Sequence, residues 1–277
     1  MLKQFVVVVG DVHAAIPLAV EGLTRLELEL GAPISQTFSV GDLGLFFTPA
    51  DWVFLTGPKK YRFPEQSEKI AEAWAMWRWP LAAIAGNHEP FHRLRVFDAE
   101  YFGGNLSYTN AGSLDHTIEG LRVYGLSGIH DAEHLEFAAA GEYRRGGIQS
   151  WDELLTVVHK NGASVKRLTY YKRSELKHLR SLPSAPHLLL VHDWPEPPDG
   201  VVDLIERPER ELVADLRPNW VCCGHHHTPA RFKSGESDCI ALNIIGADRS
   251  HRILPGWAAV FTWDGERLNY ARSWPDG

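Results

Sequence analysis

Three features of this 277-residue chain predict an α/β fold. Apolar runs of strand length recur, helix-period segments fall between them, and five of the runs stop at residues with ligand-type side chains. A strand buried on both faces reads as a short continuous apolar run. Ligands in α/β proteins gather beyond the carboxyl ends of such strands.

The elements follow in order. Residues 5–9 form a first strand that ends at Gly10-Asp11. Residues 15–30 carry Ile16, Val20, Leu23, Leu26 and Leu30 at helical spacing, and Gly31 and Pro33 end the helix. A second strand, 37–40, meets Gly41-Asp42. Residues 43–64 are rich in Pro, Gly and aromatics and read as a long ordered loop near the site. A helix over 65–77 ends before Pro80, and the strand 81–85 runs into Gly86-Asn87-His88. Residues 102–129 alternate and contain several glycines, a β-rich pattern. Helices are expected over 174–182 and 209–216, each followed by proline, with strands at 188–191 and 220–223 ending at His192-Asp193 and Gly224-His225. Strands at 239–245, 257–263 and 267–271 complete the chain, the last two joined across the hairpin signal Asp264-Gly265. With no repeat or clean linker, residues 1–277 read as one domain.

Composition narrows the class. Hydrophobic residues at 44% and charged residues at 23% are ordinary for a soluble globular protein. The N-terminal apolar run ends in Gly-Asp and reads as a buried strand rather than a signal peptide. No stretch approaches the roughly 18 apolar residues that span a bilayer. Three cysteines make no disulfide framework, so Cys222 and Cys223 read as packed thiols in a cytoplasmic protein. A net charge of −7 gives no global attraction to nucleic acid, so phosphate binding would need local cations such as bound metal.

The chemistry is concentrated in GDVH (Asp11, His13), GDLG (Asp42), GNHE (Asn87, His88), HDWP (His192) and GHHH (His225, His227). Carboxylates and imidazoles together suit borderline divalent metals. Asp-X-His and His-X-His place alternate residues on one side of an extended segment. Glycine before the ligand lets the backbone turn at the strand end. Taken singly, a Gly-Asp is a common turn and each histidine is more often packed or solvent-facing. Their shared position at strand ends, in fixed order, is what points to a metal site.

That series resembles the calcineurin-like metallophosphoesterases, from Gly10 to His227. The resemblance implies a sandwich of two mixed β-sheets flanked by helices, an architecture that periodicity alone does not separate from a doubly wound sheet. It implies two divalent ions (Mn, Fe, Zn or Co, with manganese favoured). Asp11, His13, Asp42 and His227 would hold one, and Asp42, Asn87, His192 and His225 the other. It places His88 beside the scissile phosphate without binding metal, oriented by Glu89, and leaves His226 at a variable position. Two ions about 3.5–4 Å apart acidify a bridging water, and the hydroxide attacks phosphorus in line. His88 would donate to the leaving oxygen.

A narrower resemblance links GLSGIH, RLTYYKRSELKHL and LLLVHDWP to the RNA lariat debranching enzymes, a phosphodiesterase branch. Those enzymes commonly carry cysteine where this chain has Asp11, and their recognition insert is not evident here unless 43–64 replaces it. The expected substrate is therefore a phosphodiester of nucleic-acid or nucleotide type. Phosphomonoester hydrolysis, including protein phosphoserine or phosphothreonine, is the alternative, and a scaffold without activity stands behind both. Arg144, Arg145 and Trp194 are candidate substrate contacts. The basic stretch Lys166, Arg167, Lys172, Arg173, Lys177 and Arg180 reads as a solvated face, and His130 and His134 as a surface pair. Neither a membrane nor a protein partner is indicated.

Overall fold

A computed structural model describes residues 3–57, 59–94, 99–103, 105–131, 166, 169–197, 207–248 and 252–276. Arg144, Arg145, His134 and Arg167 lie outside the described residues. Twelve strands are seen: β1 (Gln4–Val9), β2 (Ile34–Ser39), β3 (Leu81–Ala83), β4 (Leu106–Tyr108), β5 (Ala111–Ser113), β6 (Val123–Leu126), β7 (Leu188–Val191), β8 (Trp220–Cys223), β9 (Ala230–Ser234), β10 (Ser237–Ala241), β11 (Ala258–Trp263) and β12 (Leu268–Trp274). They form two six-stranded sheets, ordered β12-β11-β1-β2-β3-β4 and β5-β6-β7-β8-β10-β9. Both are mixed: β1 pairs parallel with β2 and antiparallel with β11, and β10 pairs parallel with β8 and antiparallel with β9.

The continuous valines of β1 show why two sheets form. Successive side chains of a strand point to opposite faces. Val7 and Val9 pack under the helices α1 (Ile16–Leu30) and α2 (Ser67–Ala75). Val6 and Val8 face Val123, Leu188, Leu190 and Cys222 of the second sheet. On the far side of that sheet, Leu189, Val191, Val221 and Cys223 pack against α5 (Arg173–Arg180) and α6 (Pro208–Leu216). The order of layers is helix, sheet, sheet, helix, as the metallophosphoesterase resemblance implied. The central strands β7 and β11 are buried on both faces and β8 nearly so, and they read as near-continuous apolar runs, whereas the edge strands β9 and β12 carry exposed polar residues. The three cysteines are free and buried.

Element boundaries shift where turn chemistry competes. Helix α1 stops at Gly31, whose left-handed φ of 61° lets its amide bond back to the Leu28 carbonyl. Its core-facing residues are Ile16, Ala19, Gly22, Leu23 and Leu26, while Val20 and Leu30 sit at the edge of the stripe. The helix expected over 65–77 opens with a 3₁₀ turn at Pro64–Gln66, where the Gln66 amide bonds three residues back to Phe63, and α2 ends where the amides of Met76 and Trp77 bond three residues back. Two short helices, α3 (Phe91–Leu94) and α4 (Ala99–Phe102), follow GNHE. Among the described residues, no helix is long and apolar enough to cross a membrane.

The segment 43–64 is ordered by its own core. Leu43, Leu45, Phe46, Trp52, Phe54 and Leu55 are buried, with 3₁₀ turns at Asp51–Phe54 and Lys59–Tyr61. Asp51 anchors it: this buried carboxylate accepts from the Thr48 amide and hydroxyl (both 2.7 Å), His92 Nε2 (2.8 Å) and the Tyr101 hydroxyl (2.5 Å). Burial pushes its pKa up, but the hydrogen bonds from His92, Tyr101 and Thr48 outweigh burial and hold it at about 2. A carboxyl depressed in the folded state stabilises the fold above its unfolded value of about 3.9 and loses that contribution as pH falls towards 2. Asp51→Ala is expected to cost about 3–5 kcal/mol by urea denaturation at pH 7, because it strands buried donors. The deficit should shrink between pH 4 and pH 2. A cost under 1 kcal/mol would mean that Asp51 does not anchor the loop.

Candidate metal centre

Each sequence motif lies where a central strand of the sandwich ends. Asp11 follows β1, Asp42 follows β2, Asn87 and His88 follow β3, His192 follows β7, and His225 and His227 follow β8. β1, β2 and β3 are neighbours in one sheet, and β7 and β8 in the other. The layering therefore brings strand ends from both sheets to one edge.

The ligand loops hold unusual backbone. His13, Ala14, Asp42, His225 and His227 all have positive φ, between 46° and 67°. Each non-glycine residue held so costs about 1–3 kcal/mol, and such strain collects at functional sites. The preceding glycines do a second job, because two of them make room for side chains. A Cβ at Gly86 would collide with Oδ1 of Asp42 and lie 2.5 Å from Cε1 of His192, and one at Gly224 would collide with Oδ1 of Asp11. Gly86→Ala should lower the unfolding free energy by about 1–3 kcal/mol and weaken metal retention, read by urea denaturation and metal analysis. An unchanged midpoint would show that the cradle tolerates a methyl group.

The side chains converge. Nε2 of His227 is 2.9 Å from Oδ2 of Asp11 and 3.0 Å from Nε2 of His13. Oδ2 of Asp42 lies 3.6 Å from Nε2 of His13 and 3.4 Å from Nε2 of His192. Nε2 of His192 is 3.1 Å from the Asn87 side-chain oxygen. Nδ1 of His192 lies 2.8 Å from the Val40 carbonyl, which accepts a hydrogen bond from its N–H and leaves Nε2 turned to the cluster. Asp11, Asp42 and His192 are fully buried.

This donor set fits divalent metal. Asp11, His13 and His227 offer ligand atoms within 4.8 Å of one another, as do Asp11, Asp42 and His192. Buried carboxylates need a countercharge, and histidines supply it at close range here. Burial opposes the charge on both Asp42 and His192, but each group's charge favours the other's, so Asp42 is held low and His192 high. A cation would take the proton's place between them. Burial and the charge on His192 lower the pKa of His225 to about 4, which keeps its ring neutral and able to donate electrons. His225 also groups with Asp193 and His226, whose Nε2 is 3.2 Å from Oδ1 of Asp193.

The remaining candidates fall around this cluster. His88 donates its amide to Oδ1 of Asp42 at 2.7 Å, and its ring stands 5.3 Å from that of His13. Burial lowers its pKa against the pull of Asp42, leaving a neutral ring. Glu89, expected to orient His88, instead accepts from the amides of Leu43 (2.7 Å) and Gly44 (3.0 Å), so it ties GNHE to the loop of Asp42. Burial and the Asp42 charge raise its pKa to about 8 despite those amides. Trp194 is buried and donates its indole N–H to the Gly224 carbonyl at 2.8 Å, which places it beneath the GHHH loop. Thr56 had no motif to mark it. Its hydroxyl donates to the Asn87 carbonyl at 2.6 Å and lies 3.4 Å from Nδ1 of His88.

Comparison with known proteins agrees with this geometry. The family model described as calcineurin-like phosphoesterase matches residues 6–229. The lariat debranching enzyme of Entamoeba histolytica is 24% identical over 264 residues, 88% of this chain and 69% of that protein. That of Mus musculus is 25% identical over 201 residues, 69% of this chain and 32% of the mouse protein, so this chain spans about a third of that relative. One crystal structure, 12% identical, shares the fold with a TM-score of 0.56 over 98% of this chain and 100% of its own. The match covers more than half the chain and contains every strand-end motif, and the chain belongs to the metal-dependent calcineurin-like phosphoesterase family of phosphoester hydrolases.

Proposed function

We propose that this protein is a dinuclear phosphodiesterase acting on an ester of nucleic-acid or nucleotide type. Asp11, His13, Asp42 and His227 would hold one divalent ion, and Asp42, Asn87, His192 and His225 the second, with manganese the favoured metal. The observation that carries two sites rather than one is Asp42, whose Oδ2 lies between His13 (3.6 Å) and His192 (3.4 Å). Bound there, two ions would polarise the phosphate oxygens and acidify a water molecule between them. The chain's own residues contribute the rest. Asn87 adds an oxygen without adding charge, which keeps the cluster able to accept an anion. A neutral His88 with one N–H can hydrogen-bond the leaving oxygen as charge develops on it. Thr56 and the Asp42 carboxylate fix its backbone and ring edge.

Support for a diester comes from the surroundings of the cluster and from the named relatives. Among the described residues, a cavity beside it has no lysine or arginine in its lining. A phosphomonoester carries a second negative charge that such a wall does not meet. The test is hydrolysis of bis-p-nitrophenyl phosphate against p-nitrophenyl phosphate with manganese. The diester should be preferred in kcat/KM by about tenfold or more, the factor that ~1.4 kcal/mol of differential binding produces. Monoester turnover alone would overturn the diester reading. No turnover of either by metal-loaded protein would overturn hydrolysis of both.

A further inference from the structure

Beside the metal cluster the 43–64 segment opens a cavity of about 510 Å³, bounded on the cluster side by His13, His88 and His227. Its other walls include Phe46, Trp52, Leu55, Phe63, Gln66 and Ile244. We infer that this cavity is a subsite for an uncharged aromatic ring, a nucleobase, carried on one ester arm of the phosphate held at the cluster. The inference rests on the phosphodiesterase reading above and names which part of the substrate that site selects.

Four observations support that occupant. The volume lies in the range of small-molecule sites and admits a planar heterocycle with its sugar. The walls are aromatic: Phe46, Trp52 and Phe63 all line the cavity, with Phe46 stacked on Trp52 at 4.7 Å between centroids and Phe63 edge-on to Trp52 at 6.2 Å. Every base has a π-face, so such walls hold bases without reading their sequence. Among the described residues the histidines of the cluster bring the only titratable side chains to the lining, so an anionic arm meets no lysine or arginine among them. Gln66 supplies an amide that can donate to and accept from a base edge.

The cavity is also firmly built on one side and open on the other. Trp52 is buried and its indole N–H donates to the Ser67 hydroxyl at 2.8 Å, and Asp51 beside it holds the four hydrogen bonds already described. Phe63 lines the cavity and stays 39% exposed despite its edge-on contact with Trp52. A ring entering the cavity would cover it.

The experiment is calorimetric binding to the manganese-loaded full-length chain, comparing adenosine 5′-monophosphate with ribose 5-phosphate. The two share the phosphate and sugar and differ in the base. Adenosine 5′-monophosphate should bind about tenfold more tightly or better, the scale of one stacked base. In Phe63→Ala, and in Ile244→Trp, which fills the cavity from another lining position, that ratio should fall below about threefold. Equal affinities in the unmodified protein, or a ratio that survives both substitutions, would overturn the subsite. If Ile244→Trp fails to fold, the unmodified protein and the surface-exposed Phe63→Ala decide the matter together. Binding is read separately from turnover, with each ligand confirmed unhydrolysed after its titration. Protein that cleaves the diester but ignores the base keeps the phosphodiesterase reading and loses the subsite. Protein that discriminates the base but cleaves only monoesters does the reverse.

Discussion

Asp42→Ala protein is expected to lose metal-dependent hydrolysis by about a thousandfold or more, equivalent to some 4 kcal/mol of transition-state stabilisation. It should retain at most one manganese ion per chain. The reason is position. Asp42 is the carboxylate that approaches both His13 and His192, and it also accepts the His88 amide at 2.7 Å. On the proposed assignment, alanine at this point would remove a ligand from both halves of the cluster and free the GNHE backbone. The conservative Asp42→Asn variant keeps an acceptor for the His88 amide while removing the charge. It should therefore fold like the parent by circular dichroism yet still lose metal. Metal analysis of dialysed protein, paired with bis-p-nitrophenyl phosphate turnover, checks both. Two bound ions in Asp42→Asn with normal turnover would show that Asp42 does not bridge.

His88→Ala should separate chemistry from metal binding. Its ring is in neither of the carboxylate-histidine groups formed around Asp11, so metal content should stay at the parental level. Turnover should fall by about 10²–10⁴, the usual worth of a positioned proton donor. Because burial keeps the ring neutral, the loss should appear in kcat rather than as a change of metal affinity. His88→Gln, which restores an N–H donor, should recover part of the rate. Activity within threefold of the parent would exclude His88 from the reaction. A parallel loss of metal would make it a support for Asn87, whose side-chain nitrogen lies 2.8 Å from Nε2 of His88.

These two substitutions concern residues that local sequence already marked. Asp42 and His88 stand at the ends of apolar runs, and a continuous run such as Val6–Val9 has only one stable setting, between two covered faces. The strands at Leu188–Val191 and Trp220–Cys223 are bounded as their composition predicts. Three other features were invisible along the chain. Glu89 reads as the natural partner of its neighbour His88, yet its carboxylate receives the amides of Leu43 and Gly44, 46 and 45 residues away. Trp194 reads as a candidate substrate contact, and its buried indole donates to the Gly224 carbonyl 30 residues away. Thr56 carries no signal at all, because a threonine in a Pro- and aromatic-rich stretch gains its role only when that stretch folds over GNHE.

The sequence by itself determined the kinds of ligand atom, their order, and the strand ends that carry them, because metal affinity and strand burial both depend on side-chain type and local pattern. Tertiary structure decided which sheet each strand joins, which carboxylate lies between two histidines, and which aromatic residues wall the space beside them. Those are distances between segments far apart in the chain. Spacing along the backbone does not encode them, and only the packing of one sheet against the other brings them to a few ångströms.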